Sequence, residues 1–115
     1  MKKYIFFDRD GTLIKSNLSK FNKPIAIRTI KDFKLFNSVK TVLNYLKKNY
    51  IIIVITNQPD VGRKKNTKKN VEEINHFLMK KLPIKKIFTC YCATIKCKCK
   101  KPNPGMIFKA KKKYN

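Results

Sequence analysis

The stretch KYIFFDRDGTLI, which begins at Lys3, decides how this chain folds. Its apolar run ends at Asp8 and Asp10, which predicts a strand buried in a parallel sheet and followed by a polar turn. Carboxylates two residues apart at a strand end can point to the same side, and Gly11 permits a sharp exit. Standing alone, such a pair is more often an ordinary turn. In a site, the two acids could act as nucleophile and proton carrier and favour a bound Mg²⁺ ion.

Two more strands are predicted from apolar runs. The β-branched run YIIIVI, from Tyr50 to Ile55, predicts a second central strand, and IKKIFTC, residues 84–90, predicts a third. The segment between Asn17 and Phe36 keeps no long period, which favours a flap or a short hairpin. The strands are separated by two segments with helical periodicity.

The two predicted helices have one apolar face each. Ser38 is expected to cap the first helix and Thr67 to begin the second, which Pro83 should stop. The apolar positions of the two helices are Val39, Val42, Leu43 and Leu46, and then Val71, Ile74, Leu78 and Leu82. The order β-α-β-α-β predicts a three-layer α/β fold with a parallel sheet, in one domain of 115 residues.

The composition is strongly basic, with 29 Lys and Arg against six acids and a net charge of +23. One interpretation is a polyanionic partner, since clustered lysines neutralise phosphates. The other is the bias of an A+T-rich coding sequence, because all but three of the basic residues are lysines and Ile and Asn are also plentiful. We favour the second interpretation, so a nucleic-acid partner is not expected from charge alone.

The apolar run before Asp8 is too short for a signal peptide or for the roughly 20 residues of a membrane span, which predicts a cytoplasmic protein. All four cysteines fall within ten positions, at Cys90, Cys92, Cys97 and Cys99. Thiols in a reducing compartment are better interpreted as metal ligands or reactive groups than as disulfides. From the spacing of the two C-x-C pairs alone, a metal site and a set of free thiols remain equally open.

Polar residues follow each predicted strand, where ligands bind in folds of this class. They are DRDGT (8–12), TNQ (56–58) and CKCKKPNPGM (97–106). In this order, and over essentially the whole chain, the three motifs resemble the haloacid dehalogenase superfamily of phosphatases. Within that superfamily the chain is most similar to the branch of D-glycero-D-manno-heptose 1,7-bisphosphate phosphatases and the related histidinol-phosphatase-like enzymes.

The resemblance implies a Rossmann-like sheet and a role for each motif. Asp8 would be the nucleophile that forms an aspartyl-phosphate, and Asp10 the general acid and base. Mg²⁺ would bind the Asp8 carboxylate and the Asp10 carbonyl. Thr56 and Asn57 would bind phosphoryl oxygens, and Lys101 would neutralise the phosphate. These roles fit what phosphoryl transfer needs, namely an in-line nucleophile, cations on the oxygens and a proton for the leaving group.

Three further expectations come from the same resemblance. Arg63, in the segment PDVGR, is a candidate contact to the substrate. The loop of Cys90, Cys92, Cys97 and Cys99 corresponds to a zinc clamp of the form C-x-H…C-x-C, which implies a structural Zn²⁺ held by four thiolates. That clamp would aim Lys100 and Lys101 at the phosphate, although Lys100 stands where relatives usually carry arginine, so the orientation of a second phosphate is weaker.

The sequence lacks one motif that the resemblance implies. Members of the superfamily carry a later strand that ends in a GD…D motif and completes the magnesium site, whereas no acid follows Glu73 here. Residues 1–115 are therefore expected to form a single domain that lacks this strand and leaves KYIFF with an open edge. The expected function is a magnesium-dependent phosphomonoesterase acting on a phosphorylated sugar, which PNPGM after Lys101 favours. The alternatives are a silent phosphate-binding or nucleic-acid-binding remnant, or a phosphatase for histidinol phosphate or polynucleotide 3′-phosphates.

Overall fold

A computed structural model describes residues 2–114, which form a central parallel sheet with helices on both faces. The strands are β1 (Lys3–Phe7), β2 (Asn17–Leu18), β3 (Pro24–Ile25), β4 (Tyr50–Asn57) and β5 (Lys86–Cys90). The helices are α1 (Val39–Leu46), α2 (Pro59–Gly62), α3 (Lys68–Lys81) and α4 (Gly105–Tyr114), with a 3₁₀ turn at Ile30–Asp32. No helix among these residues is both long and apolar enough to cross a membrane.

The main sheet has the strand order β1-β4-β5, and both pairings are parallel. Strand β4 lies in the centre, as its β-branched sequence predicts, and Ile52, Ile53 and Val54 are almost fully buried. Strand β1 pairs only with β4 among residues 2–114, so its other edge is open within the described part of the chain. The parallel register brings the carboxyl ends of the three strands to one side of the molecule.

Two apolar clusters cover the two faces of the sheet, and the alternation of side chains along β4 feeds both. Ile52 and Val54 pack with α1 and α3 on one face. Ile53 and Ile55 pack with α4 on the other face, in the same cluster as the cysteines. The predicted three-layer α/β fold is confirmed.

Helix α3 begins where the sequence predicts, because the Thr67 hydroxyl accepts a hydrogen bond from the backbone N–H of Asn70 at 3.1 Å. Helix α1 corrects two expectations. Ser38 makes no side-chain cap, since its φ of −93° and ψ of −4° already lie in the helical region. Val42 is 45% exposed, so the buried face of this short helix depends on Val39 and Leu43 instead.

Residues 17–36 contain the expected short hairpin, formed by the antiparallel pair β2 and β3. The short helix α2 was not predicted, although Pro59 at its first turn is a usual start signal. A Cβ atom on Gly62, at the end of α2, would lie 2.6 Å from the carbonyl oxygen of Tyr91. Glycine therefore allows α2 to pack directly against the loop that follows β5.

Candidate active site

The register of the sheet brings the sequence motifs together. Phe7 pairs with Val54, so the turn after β1 lies beside the last residues of β4. Asn57 pairs with Cys90, and the N–H of Gln58 donates to the Cys90 carbonyl at 2.7 Å, which places the cysteine loop beside the TNQ segment. The three polar motifs predicted from the sequence therefore converge at the carboxyl ends of the strands.

Asp8 and Lys101 form an ion pair at this edge. The ammonium Nζ of Lys101 lies 2.8 Å from Oδ1 of Asp8 and donates to the carbonyl oxygen of Ile55 at 3.1 Å. The Asp8 side chain is 47% exposed and that of Lys101 is 26% exposed, so the pair can be reached by a ligand from solvent. Electrostatically, a cation beside an accessible carboxylate is suited to receive a phosphoryl group.

Asn57 holds the backbone of Lys101. Its Oδ1 accepts from the Lys101 N–H at 3.0 Å, and its Nδ2 donates to the Lys101 carbonyl at 3.2 Å. Both ends of the amide are thus used by one residue of the loop after β5. Asn57 lies at the site as expected, but its contacts are with Lys101.

Asp10 is much less accessible than Asp8, with its side chain 12% exposed. Arg9 approaches it with a guanidinium fork, in which Nε lies 3.0 Å from Oδ1 and Nη2 lies 3.1 Å from Oδ2. The Arg9 side chain is fully buried, and its remaining nitrogen Nη1 donates to Oδ1 of Asn75 at 2.8 Å. Asn75 in turn donates to the Thr89 hydroxyl at 3.0 Å, which links Asp10 to α3 and β5.

Gln58 connects Asp10 with Thr56. Its Nε2 donates to Oδ2 of Asp10 at 3.0 Å and to the Thr56 hydroxyl oxygen at 2.9 Å. Thr56 is buried, with 1% of its surface exposed. Because its oxygen already accepts from Gln58, the Thr56 hydroxyl keeps its proton available for another acceptor.

Two predicted substrate contacts, Lys100 and Arg63, have partners other than Asp8 in this structure. The Lys100 ammonium donates to the Ala93 carbonyl oxygen at 2.9 Å, inside the cysteine loop. Arg63 lies 3.5 Å from Asp60, which also pairs with Arg28 at 3.0 Å. Lys100 and Arg63 thus each bind an acceptor that lies within a few residues of them in the sequence.

The four cysteine sulfurs form one cluster, in which all Sγ atoms lie within 4.8 Å of one another. The structure joins Cys90 to Cys99 and Cys92 to Cys97 as disulfides, which differs from the expectation of four free thiolates. Both pairs bring their sulfurs into the same small volume, and four reduced thiolates there form a donor set that suits tetrahedral Zn²⁺. The cluster is therefore compatible with a zinc site.

Tyr91 lies between the first two cysteines of the loop. Burial of the phenol raises the pKa of Tyr91 above its ordinary value, and the negative charge of Glu72 raises this pKa further. The phenol is therefore neutral at physiological pH and contributes to the loop as a packed polar side chain.

The donor set for Mg²⁺ is small. Asp8 offers a partly exposed carboxylate, whereas both carboxylate oxygens of Asp10 accept hydrogen bonds, Oδ1 from Arg9 and Oδ2 from Arg9 and Gln58. The resemblance implies that Asp10 would contribute its main-chain carbonyl, and this ligand set stays a prediction. One carboxylate and one carbonyl fit Mg²⁺, which commonly binds through few protein oxygens together with water and phosphate.

Sequence reasoning missed Arg9, Asn75 and the role of Gln58. A signal for Arg9 is present, since it is one of three arginines and lies between two acids just after an apolar run. Gln58 is part of the TNQ motif, yet nothing in the motif indicates its bond to Asp10. Asn75 lies within a helix, and only the packing of α3 on the sheet brings it to Arg9.

Comparison with protein families identifies the chain. A model of the family described as "Polynucleotide kinase 3 phosphatase" matches residues 3–115. The chain belongs to this family. The expected resemblance to phosphatases is thereby confirmed, and relatives named as heptose bisphosphate phosphatases support it.

Two bacterial relatives are named as heptose bisphosphate phosphatases. The D-glycero-alpha-D-manno-heptose-1,7-bisphosphate 7-phosphatase of Campylobacter jejuni is 28% identical and is matched by 98% of this chain. The protein of the same name from Photorhabdus laumondii is 32% identical and is also matched by 98% of the chain. The chain spans 64% of the length of the Campylobacter protein and 66% of the Photorhabdus protein.

Solved structures agree on the fold. The D,D-heptose 1,7-bisphosphate phosphatase of B. bronchiseptica, complexed with magnesium and phosphate, superposes with a TM-score of 0.75 at 21% identity. The match covers 99% of this chain and 64% of that one. A HAD-like phosphatase from Mesorhizobium loti gives a TM-score of 0.77 at 18% identity, covering 97% of this chain and 57% of its own.

Proposed function

We propose that this chain carries the catalytic residues of a phosphomonoesterase that acts on a phosphorylated sugar through an aspartyl-phosphate. The observation that carries the proposal is the ion pair of Asp8 and Lys101, whose 2.8 Å contact lies at an accessible edge of the sheet. The names of the relatives support a heptose bisphosphate as the substrate class.

In the first half-reaction, a carboxylate oxygen of Asp8 attacks phosphorus while the bond from phosphorus to the ester oxygen breaks. Asp10 gives its proton to that oxygen, so the sugar leaves as an alcohol. In the second half-reaction, water attacks the phosphorus of the aspartyl-phosphate and passes a proton to Asp10. The bond from phosphorus to the Asp8 oxygen breaks, which releases inorganic phosphate and restores the Asp8 carboxylate, while Asp10 is again protonated.

The neighbouring side chains contribute to charge and position. Lys101 neutralises the oxygens of the phosphoryl group in transfer. The Thr56 hydroxyl can donate a hydrogen bond to one of these oxygens. The Asp8 carboxylate and the Asp10 carbonyl would hold Mg²⁺, which supplies positive charge to the phosphoryl oxygens when bound. Arg63 and Lys100 remain candidates for contacts to more distant parts of the substrate.

The four cysteines would serve a structural role. We propose that, when reduced, Cys90, Cys92, Cys97 and Cys99 hold one Zn²⁺ and keep the loop that carries Lys101 in place. Four thiolate ligands leave no open position for a reacting water. This proposal assumes a reducing compartment such as the cytoplasm, which stays a prediction.

The test is release of inorganic phosphate from a heptose 1,7-bisphosphate by the purified protein with Mg²⁺. The Asp8→Asn variant should release none, because an amide cannot form the aspartyl-phosphate. A variant that keeps most of the activity would reject the mechanism. Absence of release by the unaltered protein would reject the function for this chain.

A second candidate substrate is the 3′-phosphate of a polynucleotide. The description of the matching family favours it, and the net charge of +23 is compatible with a polyanionic substrate. The same assay with a 3′-phosphorylated oligonucleotide distinguishes the two, since a sugar bisphosphatase should prefer the small substrate. If affinity for the oligonucleotide falls steeply with salt and is unchanged by Asp8→Asn, the chain binds nucleic acid without processing it.

A further inference from the structure

Arg9 is the largest fully buried side chain among the described residues, and it carries a charge. It lies between the two carboxylates of the site but treats them differently. Its side chain binds Asp10, whereas only its backbone N–H reaches Asp8, donating to Oδ1 at 2.8 Å. A buried guanidinium is tolerated only where its nitrogens find partners, so these contacts fix its position.

The guanidinium of Arg9 is also held by a residue other than Asp10. Nη1 donates to Asn75 at 2.8 Å, and Asn75 donates to Thr89 at 3.0 Å, so the guanidinium is tied to α3 and β5. The other two nitrogens form the bidentate fork on Asp10, the geometry that most strongly fixes the plane of a carboxylate. The orientation of Asp10 is therefore set, through Arg9, by α3 and β5.

The contacts also distinguish the two oxygens of Asp10. Oδ2 accepts from both Arg9 and Gln58, at 3.1 and 3.0 Å, which fills its two lone-pair directions. Oδ1 accepts from Arg9 alone, at 3.0 Å, and keeps one direction free. Only Oδ1 can then carry a proton without losing a hydrogen bond.

We propose that Arg9 is a positioning residue that orients Asp10 so that its Oδ1 delivers and receives the proton exchanged with the substrate. The inference rests on the proposed function, in which the Asp10 proton goes to the ester oxygen and is later replaced from water. Arg9 itself touches neither the phosphorus nor the leaving group. Its contribution is to hold the direction of the transferring oxygen.

The experiment compares two esters that differ in their need for a proton. The leaving group of an alkyl sugar phosphate is an alkoxide, which must be protonated as it departs. The leaving group of p-nitrophenyl phosphate is a p-nitrophenolate, which is stable without a proton. In Arg9→Met, kcat for the sugar phosphate should fall about 10- to 100-fold, part of the usual contribution of general acid catalysis. For p-nitrophenyl phosphate it should fall less than about threefold, with KM little changed for both. Arg9→Lys keeps the charge but not the bidentate fork, so its kcat for the sugar phosphate should lie between those of the unaltered protein and Arg9→Met.

An equal loss on both esters would overturn the inference and leave the proposed function intact. Absence of turnover of either ester by the unaltered protein would instead count against the proposed function. If Arg9→Met does not fold, Asn75→Ala removes only the hydrogen bond to Nη1 of Arg9. It should show the same selective loss of kcat for the sugar phosphate, but a smaller one. Thermal unfolding of each variant identifies those that can be compared.

A second measurement does not depend on activity. The Nε proton of Arg9 should exchange slowly with solvent in NMR spectra, because it is buried and bonded to Asp10. Arg28 is the internal control, since its Nε also binds a carboxylate at 3.0 Å but its side chain is 48% exposed. Exchange of the Arg9 proton as fast as that of Arg28, or unchanged exchange in Asp10→Ala, would show that the fork is absent and would overturn the inference.

Discussion

Lys101 reaches Asp8 from the loop after β5, and its ammonium also binds the carbonyl of Ile55, at distances of 2.8 and 3.1 Å. One cation thus joins the ends of β1 and β4. The contact to Asp8 neutralises the proposed nucleophile, and the contact to Ile55 fixes where the charge lies. The position of the site therefore depends on the loop that carries the cysteines.

Replacing Lys101 should remove phosphate binding and turnover together. We expect Lys101→Met to lower kcat by roughly 100- to 1,000-fold, the scale for loss of one oriented donor to a transition state. Phosphate release and the affinity for inorganic phosphate are the measurements. Lys100→Met is the matched control, because the neighbouring ammonium binds the Ala93 carbonyl. Equal losses in the two variants would mean that both lysines reach the substrate.

Asn57 should act through the backbone of Lys101. Asn57→Ala removes two hydrogen bonds in a partly buried position and should lower the free energy of unfolding by about 1–3 kcal/mol. Activity should fall as well, because the loop no longer holds Lys101 at Asp8. Asn44→Ala serves as the control, since Asn44 makes one exposed bond to the Lys40 carbonyl. No difference between the variants in unfolding or turnover would refute this role.

Zinc should bind once to the reduced protein. Metal analysis after expression with zinc and reductant should give about one Zn²⁺ per chain, and chelation should lower the melting temperature, since metal binding stabilises the folded loop. Cys92→His should retain the metal because imidazole also suits zinc. A metal-free protein under these conditions, with both disulfides intact, would establish that the cysteines are a disulfide framework.

Gly62 should be required for the contact between α2 and the cysteine loop. In Gly62→Ala the added Cβ would lie 2.6 Å from the Tyr91 carbonyl and 2.8 Å from the Ala93 nitrogen, both backbone atoms. We expect a loss of about 1–3 kcal/mol in the free energy of unfolding, as for overpacking, and weaker zinc retention. Gly11→Ala is a useful comparison, because its φ of +83° is strained for alanine while the added Cβ would make only an ordinary contact, 3.5 Å from the Ser16 hydroxyl oxygen. Normal zinc content in Gly62→Ala would show that the loop adapts without cost.

Magnesium should bind weakly to a polypeptide of residues 1–115. Among the described residues, the proposed site would combine the Asp8 carboxylate with the Asp10 carbonyl, and Asp60 is paired with Arg28 and Arg63. Calorimetric titration should therefore give lower affinity than for the longer Campylobacter jejuni relative. Adding a fragment that bears the later GD…D motif should raise both affinity and turnover. Tight binding by the 1–115 polypeptide alone would mean that another group replaces the expected aspartate.

The sequence predicted the strands, helix α3 and the gathering of the three motifs, because these follow from short-range patterns. Apolar runs identify strands whatever their surroundings, and parallel strands bring their carboxyl ends to one edge. Helix α1 shows the limit of such patterns. Val42 has the right spacing for the buried face, but a helix of eight residues covers too little of the sheet to bury every apolar position.

The sequence by itself determined the fold class, the pair Asp8 and Asp10 and the cluster of cysteines, since each is encoded by residues close together in the chain. Only the tertiary structure decided which partners these groups have. Arg9 meets Asn75, and Lys101 rather than Lys100 meets Asp8, because the packing of α3 and of the loop after β5 fixes where each side chain ends. Such long-range contacts depend on the register of the sheet and the path of a loop, which no local pattern specifies.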